Sequence, residues 1–209
     1  MKKHTKLKIC GMTQEDEVLA LVNLGVDAIG VILHAQSPRL ITLEQAKILR
    51  EKIPAFITMV GVFVDCEVSV VNEYATEIGL DLVQLHGAES HDYALQLVTP
   101  YIKAVRAKNI KQVKRDIVEH SSARAILLDP YVKGQHGGTG QELSVDVWPS
   151  TSFVDYPKMI LAGGLSPMNL RKSLEQFSPY GVDLNSGLEH SPGRKNLKKV
   201  EECIAILRG

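Results

Sequence analysis

The chain has 209 residues, and its 24 lysines and arginines balance its 24 aspartates and glutamates. Hydrophobic residues make up 44% of the chain and charged residues 23%, as in an ordinary soluble globular protein. Because the formal net charge is zero, the composition argues against a nucleic acid or an anionic membrane surface as partner. No linker, low-complexity tract or charge block interrupts the chain, so we expect a single domain over residues 1–209.

The cysteine pattern and the start of the chain predict a cytoplasmic protein. Cys10, Cys66 and Cys203 lie far apart and form no Cys-x-x-Cys pair, which argues against a disulfide framework. The basic first residues lack the apolar stretch of a signal peptide, and no segment is apolar enough to span a bilayer. Cys66 and Cys203 lie in or near helix-like stretches and are expected to pack in the core.

Short apolar runs recur along the chain, with helix-like stretches between them. The runs are nearly continuous rather than alternating, which is typical of parallel strands covered on both faces. The predicted strands span residues 6–9, 27–33, 57–64, 81–86, 101–105, 124–129, 158–163 and 181–186.

Most gaps between these strands carry a helical period. Residues 14–25 have acidic side chains in the first turn and apolar ones on one face. Thr42 is predicted to cap a second helix that ends before Pro54. Ser166 is predicted to cap a later helix with Pro167 in its first position. The helix after the sixth strand is the least defined, because Pro149 interrupts its segment.

Eight strands alternating with helices within 209 residues predict an α/β fold, a (β/α)8 barrel with one closed parallel sheet. The alternative is an open, doubly wound sheet. No G-x-G-x-x-G follows the first strand, which argues against the dinucleotide-binding form of that alternative.

In a (β/α)8 barrel the catalytic groups lie at the carboxyl ends of the strands. Polar residues at strand ends are common, but their coincidence at several strands favours a functional site. The candidates at these ends are Cys10, Arg39, His86, Arg106, Asp129, Gly163, Gly164, Asp183, Ser186 and Gly187.

Two glycine-containing loops, LAGGLSP after the seventh strand and LNSGLE after the eighth, predict a phosphate site. Glycine leaves backbone N–H groups open to close approach, and the loops after strands seven and eight often bind phosphate in this fold. We therefore expect a small phosphorylated substrate. The glycine-rich stretch over residues 129–140 predicts a mobile flap that closes over it.

The histidines leave two possibilities for His86, which is either a site residue or a satisfied core histidine. His91, His120 and His136 are expected at the surface. We find no set of histidines and carboxylates suited to a catalytic metal, and no loop with the Gly-Lys-Ser/Thr ending of a nucleotide site. We therefore expect neither a metal nor a cofactor.

Six segments resemble motifs of the phosphoribosylanthranilate isomerase family of tryptophan biosynthesis. In chain order they are KICGMT, SPRLIT, VQLHG, LLDPYVKGQHGGTG, LAGGLSPMNL and GVDLNSGLEHSPGRKN. The resemblance extends from the first strand to the last helix. One departure is Asn185, where family members usually have a second serine.

The resemblance implies a cofactor-free Amadori rearrangement of N-(5-phosphoribosyl)anthranilate to 1-(2-carboxyphenylamino)-1-deoxyribulose 5-phosphate. It implies that Cys10 is the general base and Asp129 the general acid. It further implies that Arg39 holds the anthranilate carboxylate and that Asp183 contacts or orients the ribose hydroxyls. The expected partner is this small molecule alone, and the expected state is a monomer or a weak homodimer.

Three alternatives stay open at this point. A related phosphosugar isomerase of histidine biosynthesis would have an aspartate in place of Cys10. A metal-dependent ribulose-phosphate epimerase would need histidine and carboxylate ligands that we do not find. A non-catalytic barrel that serves as a binding protein would have no use for Cys10, Asp129 and Arg39 together.

Overall fold

The computed structural model describes residues 4–131, 142–150 and 158–209. Eight parallel strands close into a barrel in sequential order, and the eighth pairs with the first. The barrel prediction is therefore confirmed, and the open sheet is excluded. Each predicted strand is present with ends shifted by at most two residues. The strands are β1 (Lys6–Ile9), β2 (Ala28–His34), β3 (Thr58–Phe63), β4 (Leu82–Leu85), β5 (Tyr101–Ala107), β6 (Ala125–Pro130), β7 (Lys158–Leu161) and β8 (Gly181–Leu184).

Helices follow most strands and cover the outside of the barrel. They are α1 (Glu15–Leu24), α2 (Leu43–Arg50), α3 (Val68–Ile78), α4 (His91–Ala94), α5 (Ile110–Glu119), α6 (Leu170–Phe177) and α7 (Leu197–Arg208). A short antiparallel pair, β9 (Glu189–Ser191) and β10 (Arg194–Lys195), follows β8. Within the described ranges, no helix is both long and apolar enough to cross a membrane.

The predicted cap at Thr42 is confirmed. Its Oγ1 accepts a hydrogen bond from the Gln45 N–H at 3.2 Å, and Oε1 of Gln45 accepts from the Thr42 N–H at 2.9 Å. This reciprocal pair satisfies two N–H groups that have no partner inside the helix.

The predicted cap at Ser166 is wrong, because α6 begins only at Leu170. Pro167 lies in a turn, and the Asn169 side chain closes it. Oδ1 of Asn169 accepts from the Ser166 N–H at 2.8 Å, and Nδ2 donates to the Gly164 carbonyl at 3.0 Å. A side chain that bonds nearby backbone groups offers the chain an alternative to helix.

The segment after β6 is only partly described. In the segment around Pro149, where the least defined helix was predicted, a single turn of 3-10 helix spans Val145–Val147. Residues 151–157 lie outside the described residues. Most of the predicted flap, residues 132–140, lies outside them as well.

Side chains alternate between the inside of the barrel and the shell of helices, as the period of a strand requires. The inward cluster includes Val60, Ile102, Leu127 and Ile160. Neighbours of these residues along the strands, such as Met59, Leu128 and Leu161, face outward and join the large cluster under the helices. These side chains fill the inside of the barrel, and in this fold the catalytic groups lie above them at the carboxyl ends of the strands.

Two expectations about single side chains can be checked in this shell. Cys66 and Cys203 are buried free thiols, as predicted. His120 is also buried, so its predicted surface position is wrong. The ring packs edge-on against Tyr101 at 6.1 Å between centroids, and burial lowers the pKa of His120.

Candidate active site

One cavity opens at the carboxyl ends of the strands, where the fold places catalytic groups. Its lining brings together the nine residues predicted to bind or transform a substrate. They lie at the ends of β1, β4, β6 and β8 and in the loops after β2, β7 and β8. These residues are Cys10, Arg39, His86, Asp129, Gly163, Gly164, Asp183, Ser186 and Gly187. Arg106 pairs in register with Asp129 but lines a neighbouring cavity instead.

Cys10 directly follows β1 and faces into the cavity, packed against Ile32 and Val62. Its N–H donates to the Leu184 carbonyl at 2.9 Å, which ties the residue to β8. Gly11 follows with a φ of 74°, in the left-handed region that favours glycine. The chain therefore turns away at once after Cys10, and the thiol stays at the rim of the barrel.

Below Cys10, two charged side chains are buried inside the barrel. Nζ of Lys8 lies 3.0 Å from each carboxylate oxygen of Asp183. The Lys8 side chain is 5% exposed and that of Asp183 is 8% exposed, so the pair is almost fully desolvated. Burial raises the pKa of the Cys10 thiol, and the nearby ammonium of Lys8 opposes that rise.

Asp129 faces the same cavity from β6, next to His86 at the end of β4. Nε2 of His86 lies 3.5 Å from Oδ2 of Asp129. On the other side of the ring, Nε2 of Gln84 lies 2.9 Å from Nδ1 of His86. Because an amide nitrogen only donates, Nδ1 accepts in this arrangement, and a neutral ring carries its proton on Nε2, towards Asp129. His86 is therefore part of the site rather than of the apolar core.

Arg39 reaches the cavity from the loop after β2 and is held by a carboxylate. Its Nε and Nη2 donate to the two oxygens of Glu189 at 2.8 and 2.6 Å. Lys195 and the Gly193 N–H also donate to Oε1 of Glu189, at 2.8 and 3.2 Å. Burial acts to raise the pKa of Glu189, but the hydrogen bonds from Arg39 and Lys195 outweigh it and hold that pKa below its usual range. The hairpin of β9 and β10 thus holds the guanidinium in place.

The loops after β7 and β8 lie against each other. Gly163 and Gly164 both have positive φ, 93° and 59°. Within the described residues, their N–H groups have no protein acceptor, so both can donate to a bound anion. A Cβ on Gly187 would collide with the carbonyl oxygen of Leu165. Only glycine at 187 therefore allows this close approach of the two loops.

Several residues of the site were not singled out from the sequence. Lys8 and Gln84 precede Cys10 and His86 by two positions, so the period of the strand could have placed both inside the barrel. Glu189, which holds Arg39, and Lys195, which pairs with Glu189, lie on the hairpin of β9 and β10, which the apolar pattern of the sequence did not predict. Oδ1 of Asn185, the departure noted above, accepts from Nζ of Lys195 at 2.8 Å.

In the part of the chain that the structure describes, no group of three or more His, Cys, Asp and Glu side chains could hold a metal ion. The fold and the cavity define a (β/α)8-barrel enzyme with a thiol and a carboxylate that face one small-molecule site. Comparison with known proteins identifies the family within this class.

A family model described as N-(5'-phosphoribosyl)anthranilate (PRA) isomerase matches residues 7–205. The chain is 40% identical over 204 residues to N-(5'-phosphoribosyl)anthranilate isomerase of Geobacter sulfurreducens, covering 98% of each protein. Phosphoribosyl anthranilate isomerase from Thermus thermophilus superposes with a TM-score of 0.86 and 32% identity over 98% of both chains. The chain belongs to the N-(5'-phosphoribosyl)anthranilate isomerase family.

One solved relative carries a bound molecule. A phosphoribosyl anthranilate isomerase in complex with reduced 1-(o-carboxyphenylamino)-1-deoxyribulose 5-phosphate superposes with a TM-score of 0.85. It is 29% identical to this chain, and the match covers 98% of this chain and 99% of the relative.

Proposed function

We propose that this chain converts N-(5-phosphoribosyl)anthranilate to 1-(2-carboxyphenylamino)-1-deoxyribulose 5-phosphate, with Asp129 as general acid and Cys10 as general base. The observation that carries the assignment is that the two groups face one cavity from β6 and β1, two strands that are not neighbours. A substrate between them can receive a proton from one side and lose one to the other.

Asp129 and Cys10 each carry out one proton transfer of the reaction. Asp129 gives its proton to the furanose ring oxygen, the C1–O bond breaks, and the anilino nitrogen supplies the electron pair that forms an iminium. The iminium withdraws electrons from C2 and makes its hydrogen acidic. The Cys10 thiolate takes that proton and leaves an enaminol, which tautomerises to the 2-keto product as C1 gains a proton and the C2 hydroxyl loses one. The cycle therefore begins with Asp129 protonated and Cys10 ionised.

Substrate recognition uses the remaining groups of the cavity. Glu189 occupies Nε and Nη2 of Arg39, so Nη1 is the nitrogen that reaches the anthranilate carboxylate. The phosphate lies between the loops after β7 and β8, on Gly163, Gly164, Ser186 and Gly187. Asp183, held by Lys8, orients the ribose hydroxyls.

His86 takes part by holding the acid in place. The Gln84 amide orients its ring, and Nε2 points to Asp129 at 3.5 Å. Substrate that draws the two side chains together would convert this contact into a hydrogen bond. After proton transfer, the same contact stabilises the carboxylate.

The wider proposal follows from the same site. Every side chain it uses comes from one chain, so a monomer or weak homodimer suffices. Residues 1–209 act as one catalytic domain, and the free thiol is suited to the reducing cytoplasm.

The direct test mixes purified protein with freshly generated phosphoribosylanthranilate and follows the loss of its fluorescence. We expect a rate proportional to protein concentration, and a loss of about 10²–10⁴-fold for Asp129→Asn. A rate no faster than that of the protein-free solution would contradict the assignment.

A further inference from the structure

We propose that Lys8 is a positioning residue whose ammonium, buried beneath Cys10, stabilises the thiolate form of that side chain. The inference rests on the proposed role of Cys10 as general base, and it adds a second role for Lys8, which that mechanism uses only to hold Asp183. Lys8 does not touch the substrate in this account and acts on the reaction through the thiol above it.

The strand itself sets the two groups on the same side. Lys8 lies on β1 and Cys10 directly follows that strand, two positions later, so both side chains point into the barrel. Gly30 on the neighbouring strand β2 locates them relative to each other. A Cβ built on Gly30 would lie 2.8 Å from Sγ of Cys10 and 3.0 Å from Nζ of Lys8. These two distances limit the Sγ–Nζ separation to less than about 6 Å, the range in which an opposite charge favours an ionised group.

Gly30 is part of the same arrangement. Its φ is not in the left-handed region, so backbone conformation does not demand glycine there. The missing side chain instead leaves the space that the thiol and the ammonium occupy together. Any larger residue would force them apart.

A buried lysine needs an explanation, because desolvation of an ammonium is costly. Burial acts to lower the pKa of Lys8, but the charges of Asp183 and Cys10 outweigh it and raise that pKa above its usual value. The amine therefore stays charged inside the barrel. An ion pair with a purely structural role can often be replaced by apolar side chains without loss, whereas one placed under a reactive thiol changes its chemistry.

The other charges around Cys10 do not remove the effect. Among them Lys8 acts most strongly to lower the pKa of the thiol, Asp183 acts to raise it, and Lys195 acts weakly to lower it. Arg39 also faces the thiol, but both Arg39 and Lys195 are paired with Glu189. His86 and Asp129 lie across the cavity, on β4 and β6.

The test measures the thiol directly in the enzyme without substrate. Iodoacetamide alkylation of Cys10 is followed against pH, and peptide mass spectrometry separates Cys10 from Cys66 and Cys203. In Lys8→Met we expect the inflection to move to higher pH. The rate at pH 7 should fall by about threefold for each unit by which the pKa of the thiol rises, because the tenfold loss of thiolate is partly offset by a more nucleophilic thiolate.

Asp183→Asn should shift the inflection in the opposite direction, because it removes the charge that opposes Lys8. Both changes break the same ion pair, so a merely structural role would move the thiol the same way in both variants. Lys6→Met is the matched control. It removes an ammonium from the same strand that pairs with Asp27 at 2.6 Å and is 46% exposed, and it should leave the inflection in place.

Lys8→Met leaves Asp183 buried without its partner and can fail to fold for that reason. The double variant Lys8→Met/Asp183→Asn removes both charges, and its inflection should lie above that of Asp183→Asn alone. Inflections of these two variants that coincide, or shifts of the same sign in Lys8→Met and Asp183→Asn, overturn the proposal. Because alkylation needs no turnover, a failure of Cys10 as general base would appear separately, as an active Cys10→Ser enzyme.

Discussion

Cys10→Ser separates a catalytic thiol from a packing residue. The substitution exchanges Sγ for a smaller Oγ at a side chain that is only 5% exposed and contacts Ile32 and Val62. A serine hydroxyl stays protonated near neutral pH, so the variant has no base to remove the C2 proton. General base catalysis is typically worth about 10²–10⁴-fold, or about 3–5 kcal/mol on the barrier.

The expected cost to the fold is smaller than the expected cost to the reaction. The nearby Lys8 ammonium can donate a hydrogen bond to the new hydroxyl, so the buried oxygen is not left unpaired. We therefore expect a loss of about 1–2 kcal/mol in the free energy of unfolding. Urea denaturation measures this cost, and substrate fluorescence measures kcat/KM on the same preparation.

Cys66→Ser is the matched control, since Cys66 is equally buried but lies outside the cavity. It should lose stability and keep its turnover. The wild-type enzyme adds a second check. Because burial raises the pKa of the Cys10 thiol, kcat/KM should still climb with pH above neutrality. A folded Cys10→Ser enzyme within about threefold of wild-type turnover would refute the role of the thiol as base.

Three further changes test the binding groups and the electrostatics of the site. Arg39→Ala should weaken binding of a product analogue by about 10- to 100-fold, the value of a hydrogen bond between charged groups. Arg50→Ala, which breaks a surface pair with Asp81, should leave it unchanged, and an unchanged calorimetric affinity in Arg39→Ala would remove Arg39 from the site. Gly187→Ala should raise KM by forcing the phosphate loops apart. Gly79→Ala is the control, because Gly79 has a φ of 72° and lies outside the cavity, so this change should cost stability alone. Equal KM values for Gly187→Ala and the wild type would place the phosphate elsewhere. The pKa of Glu189 is lowered in the folded protein, so its carboxylate stabilises the fold above the unfolded-state pKa of about 4.3. The difference in free energy of unfolding between wild type and Glu189→Gln should be constant above about pH 5.5 and shrink as the pH falls further. A difference independent of pH in urea titrations would contradict the ion pair.

The strands were predictable because their composition agrees with their environment. Each is covered on both faces, so an apolar run of four to seven residues suffices to mark it. The strand-end candidates followed from the barrel itself, since parallel strands bring their carboxyl ends to one edge. That reasoning reached Cys10, His86 and Asp129 without any knowledge of distances.

What the sequence could not supply depends on contacts between distant segments. Glu189 binds Arg39, 150 positions away, because its hairpin folds back onto the cavity. His120 was predicted at the surface, but Tyr101, a residue of a neighbouring strand, packs against its ring. The start of α6 moved because the Asn169 side chain bonded the turn before it, a local competition that a pattern of helix signals does not weigh.

Lys8 and Gln84 were accessible to the same periodic argument that found their neighbours, but both contradict the rule that the interior of a barrel is apolar. Gln84 is 1% exposed and Lys8 is 4% exposed, and desolvating such groups costs free energy unless they are paired. Each is paired with a side chain that belongs to the proposed chemistry, Gln84 with His86 and Lys8 with Asp183. Sites where a sequence departs from its local rules are expected to be functional ones. In an inward-facing strand position two residues before a catalytic candidate, a polar side chain is therefore better interpreted as support for that candidate than as an error in the strand.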